Sequence, residues 1–420
     1  MIAGALRYIP SPNGVTIGPI PGYRPRGNSP ALGGNPPFYE DVLNFDFTGS
    51  SHIFSGQERA SLFASGDFSF GDVNWNGQVL YTNRQTESRQ FRQFFPAVDG
   101  RPFGFTGTVQ PIMPFRSDQN IDVDYWYLAS GFSGGFGDTS WNWRIDTTYS
   151  RSDGDYTVLA INRDRTGDVQ VDRNGGGIPI NYFTPALLSG SGMAGLIAAI
   201  GETHTGNTVY TQAVGTGTVN GDLFETSAGI AGAAFGAEFR RIEIDDTPSA
   251  FEQNNNAWGQ SGAQPTRGTD KIAEIFGEVE VPLLAGLPLV EQLTFNGSAR
   301  AFKYDTVEDS DYVWKVGMGW QIIPSLRLRA TNGTSYRAPG LYELYLGNLT
   351  SFVGQFGLDP CIDWGNSNNP NIRANCAAVG IPSNYTGAGS SATIVTGGGV
   401  GVVKPETSKA FTTGLVFTPE

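Results

Sequence analysis

The amino-acid sequence predicts an all-β fold, an antiparallel transmembrane β-barrel segment of about eleven strands, and three observations predict it. Apolar and polar residues alternate with period two in several segments. The connections between those segments alternate between short and long along nearly the whole chain. Charged residues make up only 16% of the 420 residues, glycines number 57 and aromatics reach 12%, a balance that suits strands better than helices. Hydrophobic content of 39% is too high for a disordered polymer, and no run approaches the roughly 18 apolar residues of a membrane helix, so contact with a bilayer must be made by strands.

The clearest alternation sets Trp141, Trp143, Ile145, Thr147 and Tyr149 against Asn142, Arg144, Asp146, Thr148 and Ser150. A second sets Tyr312, Trp314, Val316, Met318, Trp320 and Ile322 against Lys315, Gly317, Gly319 and Gln321. A third sets Ala273, Ile275, Gly277, Val279 and Val281 against Glu274, Phe276, Glu278 and Glu280. Further candidate strands are 62–70, 74–84, 124–135, 208–217, 222–242, 292–304, 325–336 and 408–418. In hydrocarbon a backbone finds no partners outside its own ladder, so such a sheet must close on itself, with an apolar row toward lipid and its neighbours toward an aqueous bore. The expected lipid-facing girdle is Trp141, Trp143, Tyr149, Tyr312, Trp314 and Trp320, and the expected lumen-facing residues are Arg144, Asp146, Glu274, Glu278 and Lys315. Around Phe224 to Phe239 the small residues fall on both faces, and the phase stays open.

Short connections are expected at Gly71-Asp72-Val73, Gly137-Asp138-Thr139, Asn220-Gly221 and Pro324. Residues 282–291 fill a short-turn slot, and their two prolines should stay out of the ladder. Long polar connections are expected at 85–123, 151–207, 243–269 and 337–407, with a modest one near 305–311. All tight turns then lie on one rim and all long loops on the other, as in outer-membrane barrels. An odd strand count should leave the sheet open, and residues 1–60, rich in Pro and Gly, are expected to form a loop region preceding a partial barrel over 61–420.

Net charge of −13 argues against a nucleic-acid partner. No export signal is visible at the start, MIAGALRYIP. The two cysteines, Cys361 and Cys376, are expected to form a loop disulfide, since His52 and His204 lie too far away to complete a zinc site. No cofactor or metal is expected.

Ser335-Tyr336-Arg337-Ala338-Pro339, followed by Leu341, Glu343 and Leu344, resembles a strand-end motif of TonB-dependent outer-membrane receptors, and Lys404-Pro405-Glu406-Thr407-Ser408 resembles the opening of that family's next strand. The interval between them, with Asp359-Pro360-Cys361 and Arg373-Ala374-Asn375-Cys376, is similar to the family's Cys-bearing extracellular loop. Glu58 to Phe63, Gly221 to Phe224, Phe235 to Arg240 and Glu274 to Glu278 carry the likeness along the chain. The resemblance implies about eleven strands of a barrel of roughly 22. It also implies a monomer in the bacterial outer membrane that imports a scarce, bulky nutrient: a ferric siderophore, a cobalamin-like compound or an oligosaccharide. Energy would come through a TonB-type partner touching a plug, and neither plug, contact box nor signal peptide is visible in these residues.

Alternatives are a passive porin, or a secreted all-β carbohydrate-binding or hydrolytic protein. Catalysis is not expected. Glu274 and Glu278 at i and i+4 on a strand stand about 13 Å apart, beyond the spacing of a glycosidase pair, and read better as a solvated lumen wall. No serine sits in a nucleophile elbow. The glycine run within 174–177 lacks the Lys-Ser/Thr of a phosphate loop. Arg337 is a candidate substrate contact, although an arginine at a strand end more often anchors a loop through carbonyls. His204, in a long loop, is expected to bind nothing. Ser189 to Gly201, with Met193, Leu196, Ile197 and Ile200 at helical spacing, should form a short helix folded onto the loop rim.

Overall fold

The computed structural model describes residues 6–10, 16, 20–25, 51–103, 108–111, 113–168, 180–188, 191–306, 311–386 and 391–419. The glycine run within 174–177 and Ser189, singled out above, lie outside them. Eleven strands build one antiparallel sheet: β1 (Gly56–Phe70), β2 (Val73–Ser88), β3 (Gln119–Gly135), β4 (Asn142–Ile161), β5 (Gly201–Thr226), β6 (Gly229–Thr247), β7 (Thr266–Leu287), β8 (Val290–Tyr304), β9 (Asp311–Ile323), β10 (Leu326–Arg337) and β11 (Glu406–Phe417). Each strand pairs with its sequence neighbours, so the sheet is a plain meander. Among the described residues it is open, with β1 and β11 at its edges. Both edge strands run from the long-loop rim toward the tight-turn rim, so pairing them directly would be parallel. An odd meander cannot close antiparallel on itself.

The pleat sorts the side chains. Cross-strand partners run Val79, Leu128, Tyr149, Ala213 on one face, then Phe239 beside Ala273 and Ile275 beside Ala301 and Tyr312. Ile275 and Tyr312 are each 65% exposed. The opposite face is polar yet more covered, with Glu274, Ile272, Gly317 and Gly319 buried. Apolar side chains in the open and a carboxylate under cover invert the order of a soluble sheet.

On the apolar face the greasy rows end at a common level. Tyr149 gives way to Arg151 and Asp153, Phe239 to Arg241 and Glu243, Ala273 to Lys271, and Trp126 to Asp124. Beyond that level β4, β5, β6 and β7 continue as a polar wall toward the long-loop rim. This explains why strands of 20, 26, 19 and 22 residues exceed the 9–11 needed for crossing.

Tight connections lie at 71–72, 136–141, 227–228, 288–289 and 324–325, and the long ones at 89–118, 162–200, 248–265 and 338–405. The two-rim asymmetry holds, but two turn assignments need correction. Asn220 and Gly221 are ladder residues of β5, opposite Ala234 and Ala233, and the chain folds back at Ser227-Ala228 instead. Glycine is required at 221 for space: a Cβ there would lie 2.7 Å from the Trp141 ring. Candidate strand 222–242 is therefore the end of β5 plus most of β6, and Phe235 and Phe239 share the face of Ile275. Pro282 is also within the ladder, opposite Thr294 and beside a bulge, a place where strands accommodate a residue without an N–H. Only Pro288 occupies the turn.

The packed core of the molecule lies in the loops. Tyr23, Phe94, Phe115, Tyr182, Ile200 and Trp258 come from four separate stretches, the one around Tyr23 and the connections 89–118, 162–200 and 248–265, and are at most 8% exposed. Phe94 meets the Trp258 ring edge-on at 4.9 Å. The polar tips are satisfied: Trp258 Nε1–H donates to Asp168 Oδ2 at 3.0 Å, and Tyr182 O–H to the Thr166 carbonyl at 2.6 Å. Strand Leu6–Pro10 joins this cap through parallel pairing with Thr108–Pro111. The helix expected on the rim is Met193–Ile200, with Leu196 and Ile200 buried in the cap.

Candidate functional site: the polar wall and its loop cap

The structure places Trp143, Tyr149, Tyr312, Trp314 and Trp320 on the apolar face, in register with Gly134, Leu128, Ala301, Ala299 and Leu293. Trp141 precedes β4, and its ring stacks 6.4 Å from Phe235 on that same face. Trp320 Nε1–H donates to the Leu289 carbonyl at the tight turn, as befits an indole at the end of an apolar band. Arg144, Asp146, Glu274, Glu278 and Lys315 all lie on the opposite face.

The polar wall carries paired charge. Arg144 reaches Asp146 at 2.6 Å and Asn76 at 3.3 Å. Arg240 pairs with Glu238, which also accepts from Thr216 at 3.1 Å. Arg300 holds the buried Glu274 at 2.7 Å and lies 4.9 Å over the Phe276 ring. Toward the loop rim, Phe302, Tyr304 and Tyr336 form an aromatic cluster with centroids 4.4 to 5.8 Å apart. Glu278 and Lys315 instead line a cavity of about 450 Å³ with Asn296 and Ser298, nearer the tight turns.

Arg337 is held on two sides. It donates to Glu406 at 3.0 Å, its register partner on β11, and to both oxygens of Glu343 at 2.9 and 3.0 Å. Glu343 sits in the helix Leu341–Tyr345 and also accepts from the Gly340 N–H. Hydrogen bonds and charge from Arg337 keep the Glu343 carboxyl below the usual carboxylate range. The two sequence motifs thus meet, and Arg337 ties the start and end of the 338–405 connection through carboxylates, not through the carbonyls expected. Within that connection Cys361 and Cys376 are disulfide-bonded, with Cα atoms 5.7 Å apart. The bridge joins the segment after Gln355–Gly357 to the helix Pro370–Ala378.

His204 is not a loop residue. It lies on β5 opposite Val158, 6% exposed, with Nδ1 3.0 Å from Ser249 Oγ and 3.7 Å from Glu252 Oε2. Sequence reasoning missed Ser249, Glu252 and Tyr156, although Ser249-Ala250-Phe251-Glu252 has the S-x-x-E spacing of a helix capping box, which the structure forms. It also missed Arg240 and Arg300, whose partners sit on neighbouring residues or strands. Among the described residues no group of three or more His, Cys, Asp or Glu is placed to hold a metal ion.

Residues 74–420 match the family described as TonB dependent receptor-like, beta-barrel. Among solved structures, the ferric-catecholate import receptor Fiu from E. coli K12 is similar at 12% identity over 73% of this chain and 49% of that one, with a TM-score of 0.41. The ferric enterobactin receptor PfeA from Pseudomonas aeruginosa is similar at 16% identity over 88% of this chain and 49% of that one, with a TM-score of 0.39. The chain spans about half the length of these two structures. With most of its residues inside the family match and an eleven-stranded antiparallel meander to carry them, the chain belongs to the TonB-dependent receptor β-barrel family, whose place is the bacterial outer membrane.

Proposed function

We propose that this chain is part of an outer-membrane receptor that imports a scarce, bulky nutrient with TonB-coupled energy, and that it works as wall and mouth of the import path rather than as a catalyst. The observation that carries the reading is the pairing of two unlike faces on one sheet: an apolar band bounded by Trp141, Trp143, Tyr312 and Trp320, and a charged wall running up into a packed loop cap. On this reading the apolar face meets outer-membrane lipid, and Arg144, Asp146, Glu274, Glu278 and Lys315 face the bore. The partial barrel begins at Gly56, five residues before the boundary expected from the sequence, and Leu6–Pro10 and Tyr23 belong to the loop side. Arg337 is a loop anchor, its guanidinium being engaged by Glu343 and Glu406. The substrate, whether ferric siderophore, cobalamin-like compound or oligosaccharide, would enter beneath the cap. A plug filling the bore would touch the TonB-type partner, and one copy would suffice.

The test is uptake by cells expressing the complete reading frame, with radiolabelled ferric chelates, cobalamin and maltooligosaccharides as probes. Saturable uptake of one probe, abolished by a protonophore, is expected. Uptake of small solutes that is linear in concentration and indifferent to the protonophore would replace this reading with a passive channel.

A further inference from the structure

The loop 248–265 is fastened to the polar wall by a hydrogen-bonded node that contains the buried histidine. Its first turn, the helix Ala250–Gln253, lies against β4 and β5 on the polar face. Glu252 Oε2 accepts from the Ser249 N–H at 3.1 Å and from the Tyr156 O–H at 3.3 Å. Ser249 Oγ accepts from the Glu252 N–H at 3.1 Å and stands 3.0 Å from His204 Nδ1. The Phe251 ring covers the imidazole at 5.1 Å. Three sequence-distant pieces, β4, β5 and the loop, therefore share one cluster whose middle member titrates.

Neutral imidazole suits this cluster, because Ser249 satisfies Nδ1 and the ring is sealed by Phe251. Protonated imidazole does not. His204 Nε2 is buried and has no hydrogen-bond partner, so a second N–H would be a charged donor without an acceptor. We propose that His204 is a pH-sensitive latch: neutral, it holds the turn Pro248–Asn255 against the inner wall, and protonated, it releases that turn. Such a release at mildly acid pH would widen the mouth above β4, β5 and β6. The device is independent of which solute is imported.

The carboxylates around the ring oppose burial and do not overcome it. Burial lowers the proton affinity of His204 below its ordinary value of 6.5, while Glu252 from the loop and Glu202 from its own strand act the other way and are outweighed. Glu202 is already engaged by Arg165 at 3.0 Å and by Asn162 at 3.1 Å. Asp246 of β6 is held by Thr208 at 2.6 Å, and its charge acts on Tyr156, while Tyr342 from the connection 338–405 is an uncharged phenol in this pH range. A histidine whose closed-state pKa is depressed stabilises the closed state above 6.5, and that contribution is lost as pH falls through the depressed value. With one proton involved, opening grows by up to about tenfold per pH unit in that window. Release should stop at Asn256, whose carbonyl accepts from the Arg163 N–H, and at Trp258, which is fixed in the cap core.

Hydrogen exchange read by mass spectrometry on the full-length receptor in outer-membrane vesicles tests this, with rates corrected for intrinsic pH dependence. Protection of residues 250–255 should fall between pH 7.5 and 5, by at most about tenfold per pH unit below 6.5. Protection around Phe94 and Trp258 should hold. In His204→Gln, which keeps a hydrogen-bonding group but does not titrate, the fall should disappear. Equal protection at both pH values in the unmodified protein, or an equal fall in His204→Gln, overturns the latch. Should that variant fail to assemble, Glu252→Gln decides: removing the carboxylate that favours imidazolium must move the transition to lower pH, and an unmoved transition overturns the proposal.

Discussion

The sheet and the cap solve the same problem in opposite ways. In the sheet, Ile275, Tyr312 and Met318 are exposed and the backbone is satisfied by neighbouring strands, so stability rests on the ladder and on what wets the outer face. In the cap, Tyr23, Phe94, Phe115 and Trp258 are sealed from solvent, as in a small soluble domain. Each such ring contributes roughly 1.5–3 kcal/mol by burial alone. The contrast teaches that the loops of this chain are not slack connections. They form a pre-assembled lid with its own core, standing on a wall that has none.

Truncation is the strongest way to break the comparison. Phe94→Ala should cost the cap about 3–5 kcal/mol, seen as early proteolysis at 89–118 and 162–200 while β2 to β9 stay protected. If the whole sheet unfolds with the cap, the two regions are not separate. A charge on the apolar face should act in the other direction. Ile275→Arg should destabilise the sheet by roughly 2–4 kcal/mol in lipid vesicles, with the cap core unaffected, whereas arginine in place of Thr216 on the polar wall should cost far less. Urea unfolding in vesicles reads both. The smallest effect sharpens the account of the turns: Leu289 has a positive φ of 61°, so Leu289→Gly should raise sheet stability by about 1 kcal/mol in the same assay.

The wall was legible from sequence because a strand writes its two faces into alternate residues. Trp143 beside Arg144, and Trp314 beside Lys315, mark the two faces in the sequence itself. Turns were legible where glycine marked a special backbone, as at Gly71 and Gly137, and misread where it marked space, as at Gly221 beneath Trp141. Strand lengths were underestimated, since beyond Tyr149 or Phe239 the outward row turns polar and looks like loop. Of the cap, the helix Met193–Ile200 was legible from its period, but the core it joins was not. Phe94, Tyr182 and Trp258 are far apart in sequence with no period between them, and only tertiary contact makes them one core. His204 was misplaced for the same reason: its partners are 45 and 48 residues away, and the capping box at Ser249 was the one local signal pointing to a folded loop.

The central claim, that neighbouring residues of one strand face different solvents, can be read directly with single cysteines in the receptor embedded in membranes. Cysteines at Ile275 and Val316 should react with a bilayer-confined thiol probe and resist a small water-soluble methanethiosulfonate. Those at Glu278 and Lys315 should do the reverse. Equal aqueous labelling at all four positions would contradict the account.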